Sequence, residues 1–83
     1  MQPTLMTADQ IQAAVRAAQH DNLALIINMP RGELKVTNAN DLQDCGNLRY
    51  GLSDAVVFDL SRVSHIRAVD RGDVEETWFR LWP

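Results

Sequence analysis

The chain has 83 residues, of which 46% are hydrophobic and 23% are charged, and its formal net charge is −3. This composition argues against disorder, because it supplies enough apolar side chains to offset the entropy of ordering the chain. The negative net charge excludes the simplest electrostatic case for nucleic-acid binding, which needs an excess of basic residues. We therefore expect a single domain over residues 1–83.

The single cysteine, Cys45, excludes an intramolecular disulfide. Small secreted domains usually need such cross-links, so a lone cysteine favours a reducing compartment. The first ten residues lack the basic start and apolar run of a secretory signal. No apolar stretch approaches the roughly 20 residues that span a bilayer. We therefore predict a soluble cytoplasmic protein without a membrane segment.

The first predicted element is a helix over residues 7–20. Thr7 and Gln10 have the spacing of a capping box, in which each side chain binds the backbone N–H of the other residue. Apolar side chains then recur at the spacing of one helix face. These are Ile11, Ala14, Val15 and Ala18.

A change of period predicts a β-hairpin after the helix. Residues 23–29 and 33–37 alternate as strands do, and Pro30-Arg31-Gly32 supplies the turn between them. The following residues, 38–47, are dense in Asn, Asp and Gly. Such a composition predicts a loop.

Three further strands are predicted at residues 48–52, 55–60 and 63–69. Ser53 and Asp54 make a tight turn between the first two strands, and Ser61-Arg62 form a short corner between the last two. The C-terminal segment 74–82 has both the helical spacing of a capped helix and the Trp, Phe and Thr content of a strand. The sequence favours the strand.

The order of these elements resembles that of small SH3-like barrels. In particular, AVVFDLSRVSHIRAV, residues 55–69, resembles the last two strands of the Sm-like fold, which a short helical corner joins. The hairpin LALIINMPRGELKV, residues 23–36, is similar to the first two. The resemblance covers residues 7–70 and implies an α+β protein, with an N-terminal helix followed by a mostly antiparallel barrel or curled sheet of five to six strands.

The same resemblance implies an alternative function as an RNA-binding ring, with Arg49, Arg62 and His65 at the pore. Bacterial Sm-like RNA chaperones carry a Lys-His pair at the entrance to the last strand. Here Ser64 precedes His65, so only the histidine half of that pair is present. The acidic net charge also fits RNA binding badly.

Asp59 and His65 are the strongest candidates for a catalytic pair, since a histidine beside a carboxylate begins many active sites. No nucleophile accompanies them at a recognisable spacing, and chemistry requires a constellation. We therefore predict polar positions on the wet faces of two paired strands. Cys45 has no closely spaced second ligand, so no metal site is expected. No catalytic residue or cofactor is predicted either.

The last feature is the run WFRLW near the end of the sequence. It places four large apolar side chains in five positions, which one small core does not bury from a single strand. Trp and Arg are enriched at interface hot spots. We therefore expect a non-enzymatic interaction module that binds itself, as a homo-oligomer, and another protein. Its predicted interface consists of Trp78, Phe79, Arg80, Leu81 and Trp82.

Overall fold

The structure is a computed structural model, and it describes residues 6–52 and 56–81. Within these ranges, one α-helix precedes seven β-strands in two antiparallel sheets, which confirms the predicted α+β class. The predicted turn at Ser53 and Asp54 lies outside the described residues. The element bounds are α1 Ala8–His20, β1 Ala24–Met29, β2 Gly32–Val36, β3 Leu42–Gly46, β4 Arg49–Leu52, β5 Val56–Asp59, β6 His65–Val69 and β7 Trp78–Leu81.

Helix α1 begins at the predicted capping box. The Gln10 backbone N–H donates to Thr7 Oγ1 at 3.2 Å, and the Thr7 N–H donates to Gln10 Oε1 at 2.9 Å. The apolar face of α1 buries Ile11, Val15 and Ala18 against the strands. These contacts place the helix over the main core, where it covers apolar side chains from both sheets.

The larger sheet has the strand order β6-β1-β2-β7. The predicted hairpin is present, with Met29 opposite Gly32 and a two-residue turn at Pro30 and Arg31. Strand β6 pairs with β1, and β7 pairs with β2. The C-terminal segment therefore contains a strand, as the sequence favoured, and that strand lies at one edge of the sheet.

Strand β1 is buried on both of its sides. Leu25 and Ile27 face the main core on what we call the inner side of the sheet. Ala24 and Ile26 face the outer side, where Val74 packs against them. The chain from β6 to β7 therefore crosses the outer side of the sheet, and Val74 covers the centre of that side.

The predicted loop at 38–47 is wrong. It contains a 3-10 helix, Ala39–Asp41, and strand β3, which pairs with β4. Only Leu42 of β3 is buried, and the rest of the strand is exposed. A strand with a single buried side chain lacks the apolar alternation by which strands are recognised in a sequence.

An unusual turn joins β3 to β4. Gly46, Asn47 and Leu48 have φ angles of 82°, 54° and 60°. Gly and Asn adopt this left-handed region readily, but leucine seldom does. The conformation of Leu48 lets its side chain pack against the core and its carbonyl accept from the Leu60 N–H at 2.8 Å. These contacts hold Leu48 in a backbone conformation that the sequence does not signal.

The predicted strands 55–60 and 63–69 are not paired with each other. The smaller sheet has the order β3-β4-β5, whereas β6 pairs with β1 in the larger sheet. A 3-10 helix, Leu60–Arg62, separates β5 from β6 and redirects the chain from one sheet to the other. The predicted corner is present, and it carries the chain from the smaller sheet into the larger one.

Two neighbouring side chains of β5 allow a test of how much stability the main core supplies. Phe58 is 8% exposed, whereas its neighbour Val57 is 62% exposed. We expect Phe58→Ala to lower the free energy of unfolding by about 3 kcal/mol or more, because it leaves a cavity in a small core. Val57→Ala is the control from the same strand and should change stability by no more than about 0.5 kcal/mol. Equal shifts of the two urea midpoints would contradict this assignment.

Candidate interaction surface

The predicted interface residues lie on or beside edge strand β7. Trp78, Phe79 and Arg80 are exposed, with Trp78 at 36% and Phe79 at 40%. Leu81 is the last residue of β7, opposite Gly32. Trp82 lies outside the described residues. The structure therefore presents two large aromatic side chains at the edge of the larger sheet.

Trp78 lies on the outer side of the sheet. Trp78 is opposite Lys35 of β2, and Lys35 is opposite Ile26 of β1, which faces the outer side. The Lys35 ammonium lies 5.1 Å from the centre of the Trp78 ring, in the range of a cation–π contact. The same ammonium is 3.7 Å from Glu33 Oε1. Lys35 is thus already engaged by an aromatic ring and a carboxylate.

An acidic stretch of chain borders Trp78. A shallow depression on the outer side is lined by Lys35, Trp78, Val74 and three carboxylates, Asp73, Glu75 and Glu76. We call these three residues the acidic segment. All three are exposed, and none belongs to the ion pairs found within residues 6–52 and 56–81.

Phe79 lies on the other side of β7. It is opposite Leu34, a fully buried residue of the main core. Its ring lines a groove of about 470 Å³, which we call the arginine groove. The residues that line this groove are Met29, Arg49, Val56, Val57, Phe58, Asp59, Arg62 and Phe79.

The arginine groove is shallow and mixes apolar walls with charge. Val57, one of its walls, is 62% exposed, whereas small-molecule sites usually bury most of their ligand. Arg49 and Arg62 are both exposed, and neither belongs to an ion pair with another described residue. These features suit contact with another macromolecule better than enclosure of a small ligand.

Asp59 lies in the arginine groove and caps the 3-10 helix that follows β5. Its Oδ1 accepts from the Ser61 backbone N–H at 2.9 Å. The backbone and hydroxyl hydrogen bonds of Ser61, followed by the charges of Arg49 and Arg62, lower the pKa of Asp59. The Asp59 carboxylate therefore has a structural role, as the cap of this 3-10 helix.

His65 lies apart from Asp59. It is exposed on β6, opposite Asn28, and it is not among the residues that line the arginine groove. The structure therefore brings together Arg49 and Arg62 of the predicted RNA site but leaves out His65. Asp59 and His65 lie in different sheets, so the two strands that carry these predicted polar positions do not pair with each other.

Cys45 is an exposed free cysteine on β3. Its Sγ lies 3.6 Å from the Gln43 carbonyl, and a Cβ built at Gly51 on the neighbouring strand would approach it to 3.2 Å. Within the described ranges, no three His, Cys, Asp or Glu side chains are arranged to hold a metal ion.

Several groove residues were not predicted as part of a surface. Met29 of β1 joins Phe79 of β7 there, and so do Val57 and Phe58 of β5, so these four side chains come from three strands. Val57 carries the one sequence signal, since it is a large apolar side chain on the predicted wet face of its strand. A single exposed apolar residue is ordinary, but several that lie side by side often mark a binding surface.

Comparison with known proteins gives no family model that matches the chain, and no curated protein or solved structure with a significant match. None of the described helices has the length and apolar character needed to cross a membrane.

The cap at Asp59 predicts a specific pH dependence. Because folding lowers the pKa of Asp59, its ionised form stabilises the fold at neutral pH, and this contribution is lost as the pH falls through the folded-state pKa. Asp59→Asn keeps a capping oxygen but removes the charge. We expect the free energy of unfolding of wild type to fall relative to that of Asp59→Asn as the pH is lowered from about 6 to 3.

The matched control is Asp70→Asn. Asp70 has the same position before the 3-10 helix Arg71–Asp73, but its side chain makes no cap hydrogen bond. Urea melts of wild type and both variants across this pH range make the comparison. If the two variants show the same pH dependence relative to wild type, the cap at Asp59 does not stabilise the ionised carboxylate.

Proposed function

We propose that this chain is a small, non-enzymatic protein-interaction module that self-associates through β7. The observation that carries the proposal is the exposure of Trp78 and Phe79 on opposite sides of one edge strand. Large aromatic side chains contribute most of the binding energy in many interfaces. A role in binding other proteins belongs to the same proposal.

The position of β7 at the sheet edge supports this function. An edge strand presents unpaired backbone N–H and C=O groups, and proteins usually protect such edges with charged residues, proline or bulges. Strand β7 exposes Trp78, Phe79 and Arg80, and only the last of these is charged. The edge is therefore weakly protected. A chain of 83 residues also has a thin stability margin, which burial of a second surface would widen.

Two further parts of the proposal rest on the arrangement of the elements. We propose an SH3-like or Sm-like barrel because a 3-10 corner joins β5 to β6, as the resemblance implies, and because β6 returns to pair with β1. The absence of an enzymatic role is supported by Asp59, whose carboxylate is occupied as a cap. A cytoplasmic location, from the lone cysteine, completes the proposal.

Self-association through β7 predicts a concentration-dependent increase in mass by light scattering. Replacement of both aromatics, in Trp78→Ser/Phe79→Ser, should weaken the association roughly tenfold or more, because Trp is enriched in hot spots and Phe is enriched at interfaces. The control is His65→Ser/Arg67→Ser, which removes two large exposed side chains from β6 at the opposite edge of the same sheet. A wild-type protein that stays monomeric throughout the micromolar range would overturn the proposal.

RNA binding is the second candidate function. The observation that favours it is the presence of Arg49 and Arg62 in the same groove as the exposed ring of Phe79. Cationic grooves with aromatic rings that stack on bases are typical of single-strand binding. His65 lies outside this groove, so the RNA site in this form consists of Arg49, Arg62 and Phe79.

Filter binding of single-stranded RNA tests the second candidate. If it holds, the affinity should fall steeply between about 50 and 200 mM salt, and Arg49→Gln/Arg62→Gln should weaken binding while His65→Gln does not. Undetectable binding at the lower salt concentration would eliminate RNA as the ligand and leave the proposed protein interaction as it is.

A further inference from the structure

The two sides of β7 carry opposite charge. Trp78 borders the acidic segment on the outer side, and Phe79 borders Arg49 and Arg62 on the inner side. Successive residues of a strand point to opposite sides of a sheet. The acidic segment and the arginine groove therefore lie on different surfaces of one molecule, each beside an exposed aromatic ring.

The groove arginines and the acidic carboxylates have no ion-pair partners among the described residues. On the outer side, Lys35 is engaged by Trp78 and Glu33. In the groove, Asp59 is hydrogen-bonded to Ser61 and offsets part of the charge of Arg49 and Arg62, which leaves the groove with a net positive charge. The molecule thus has a basic surface and an acidic surface whose charges complement each other and are available to a second molecule.

We propose that the arginine groove of one copy binds the acidic segment of a second copy. Asp73, Glu75 and Glu76 of the second copy lie against Arg49 and Arg62, and its Trp78 packs near the apolar walls formed by Val57 and Phe79. This inference rests on the proposed self-association and names the contact through which it occurs.

The chemistry of the two surfaces suits this contact. A guanidinium group binds carboxylates through paired hydrogen bonds, and arginine loses less hydration than lysine when it is covered. The acidic segment is presented by a fixed anchor, because Val74, in its middle, is 5% exposed and packs on the centre of the sheet. An anchored segment loses little additional conformational entropy on binding.

The contact is heterologous, since the two surfaces that meet are different. A heterologous contact leaves a free groove on one copy and a free acidic segment on the other, so assembly continues past the dimer into a ring or a filament. An isologous contact between two β7 edges would stop at the dimer. Sedimentation velocity distinguishes them, and we expect species larger than a dimer as the concentration rises.

Charge reversal tests the contact directly. Arg49→Glu/Arg62→Glu and Glu75→Arg/Glu76→Arg should each weaken self-association roughly tenfold or more, because each places like charges together. An equimolar mixture of the two variants should restore association, because every groove then meets a segment of opposite charge. The control Arg16→Glu/Arg31→Glu makes the same change in net charge at exposed residues of α1 and the hairpin turn, outside both surfaces, and should leave association unchanged.

Two further measurements keep the test decisive if a reversed pair disturbs folding. Arg49→Gln/Arg62→Gln removes the charges without adding repulsion and should also weaken association. Association of the wild type should weaken as salt rises from about 50 to 500 mM, because exposed ion pairs are screened. Circular dichroism of each variant confirms that the fold is retained.

Each outcome has one meaning. If the wild type associates but the reversed variants associate equally well, or if their mixture is no better than either alone, the groove does not bind the acidic segment. Self-association through β7 then stands and this inference fails. If the wild type is monomeric, the proposed function itself fails.

Discussion

Burial of β1 on both sides is the constraint on which the rest of the structure depends. Leu25 and Ile27 require cover from the helix and the second sheet, which is the ordinary situation of a strand beside a core. Ala24 and Ile26 require cover on the opposite side, and the described residues form no second α-helix to supply it. Val74 meets that requirement from the connection between β6 and β7.

This solution determines where the charged and aromatic surfaces lie. The connection must cross the outer side of the sheet to carry Val74 over its centre, and the Thr37 N–H donates to Thr77 Oγ1 at the end of that crossing. The carboxylates beside Val74 are consequently displayed on the outer side. The chain then arrives at the free edge of β2, where it forms β7. The position of the proposed interaction surface is thus a consequence of covering one apolar strand.

The sequence predicts those parts of the fold that local chemistry determines. Thr7 with Gln10 marks the helix start, and Pro30 with Gly32 marks the hairpin, because each signal acts between near neighbours. The pairing of β6 with β1, and not with β5, joins segments that are far apart in the chain, so the sequence did not reveal it. Strand β3 was missed for a different reason, since only Leu42 in it is buried.

The same distinction holds for the surface. WFRLW shows its aromatic content in five consecutive residues, so the exposed edge was predictable. The arginine groove draws Met29, Arg49, Asp59 and Phe79 from well-separated positions, and only the fold brings them together. Among the described strands, β7 is paired with β2 alone. Because protection from hydrogen exchange follows local opening, the amides of β7 should exchange well before those of β1, and transient release of β7 would leave β2 as a bare edge. If a second copy supplied its own β7 to that edge, the two molecules would exchange strands instead of docking. The strand that carries the proposed interface is therefore also well placed for domain swapping.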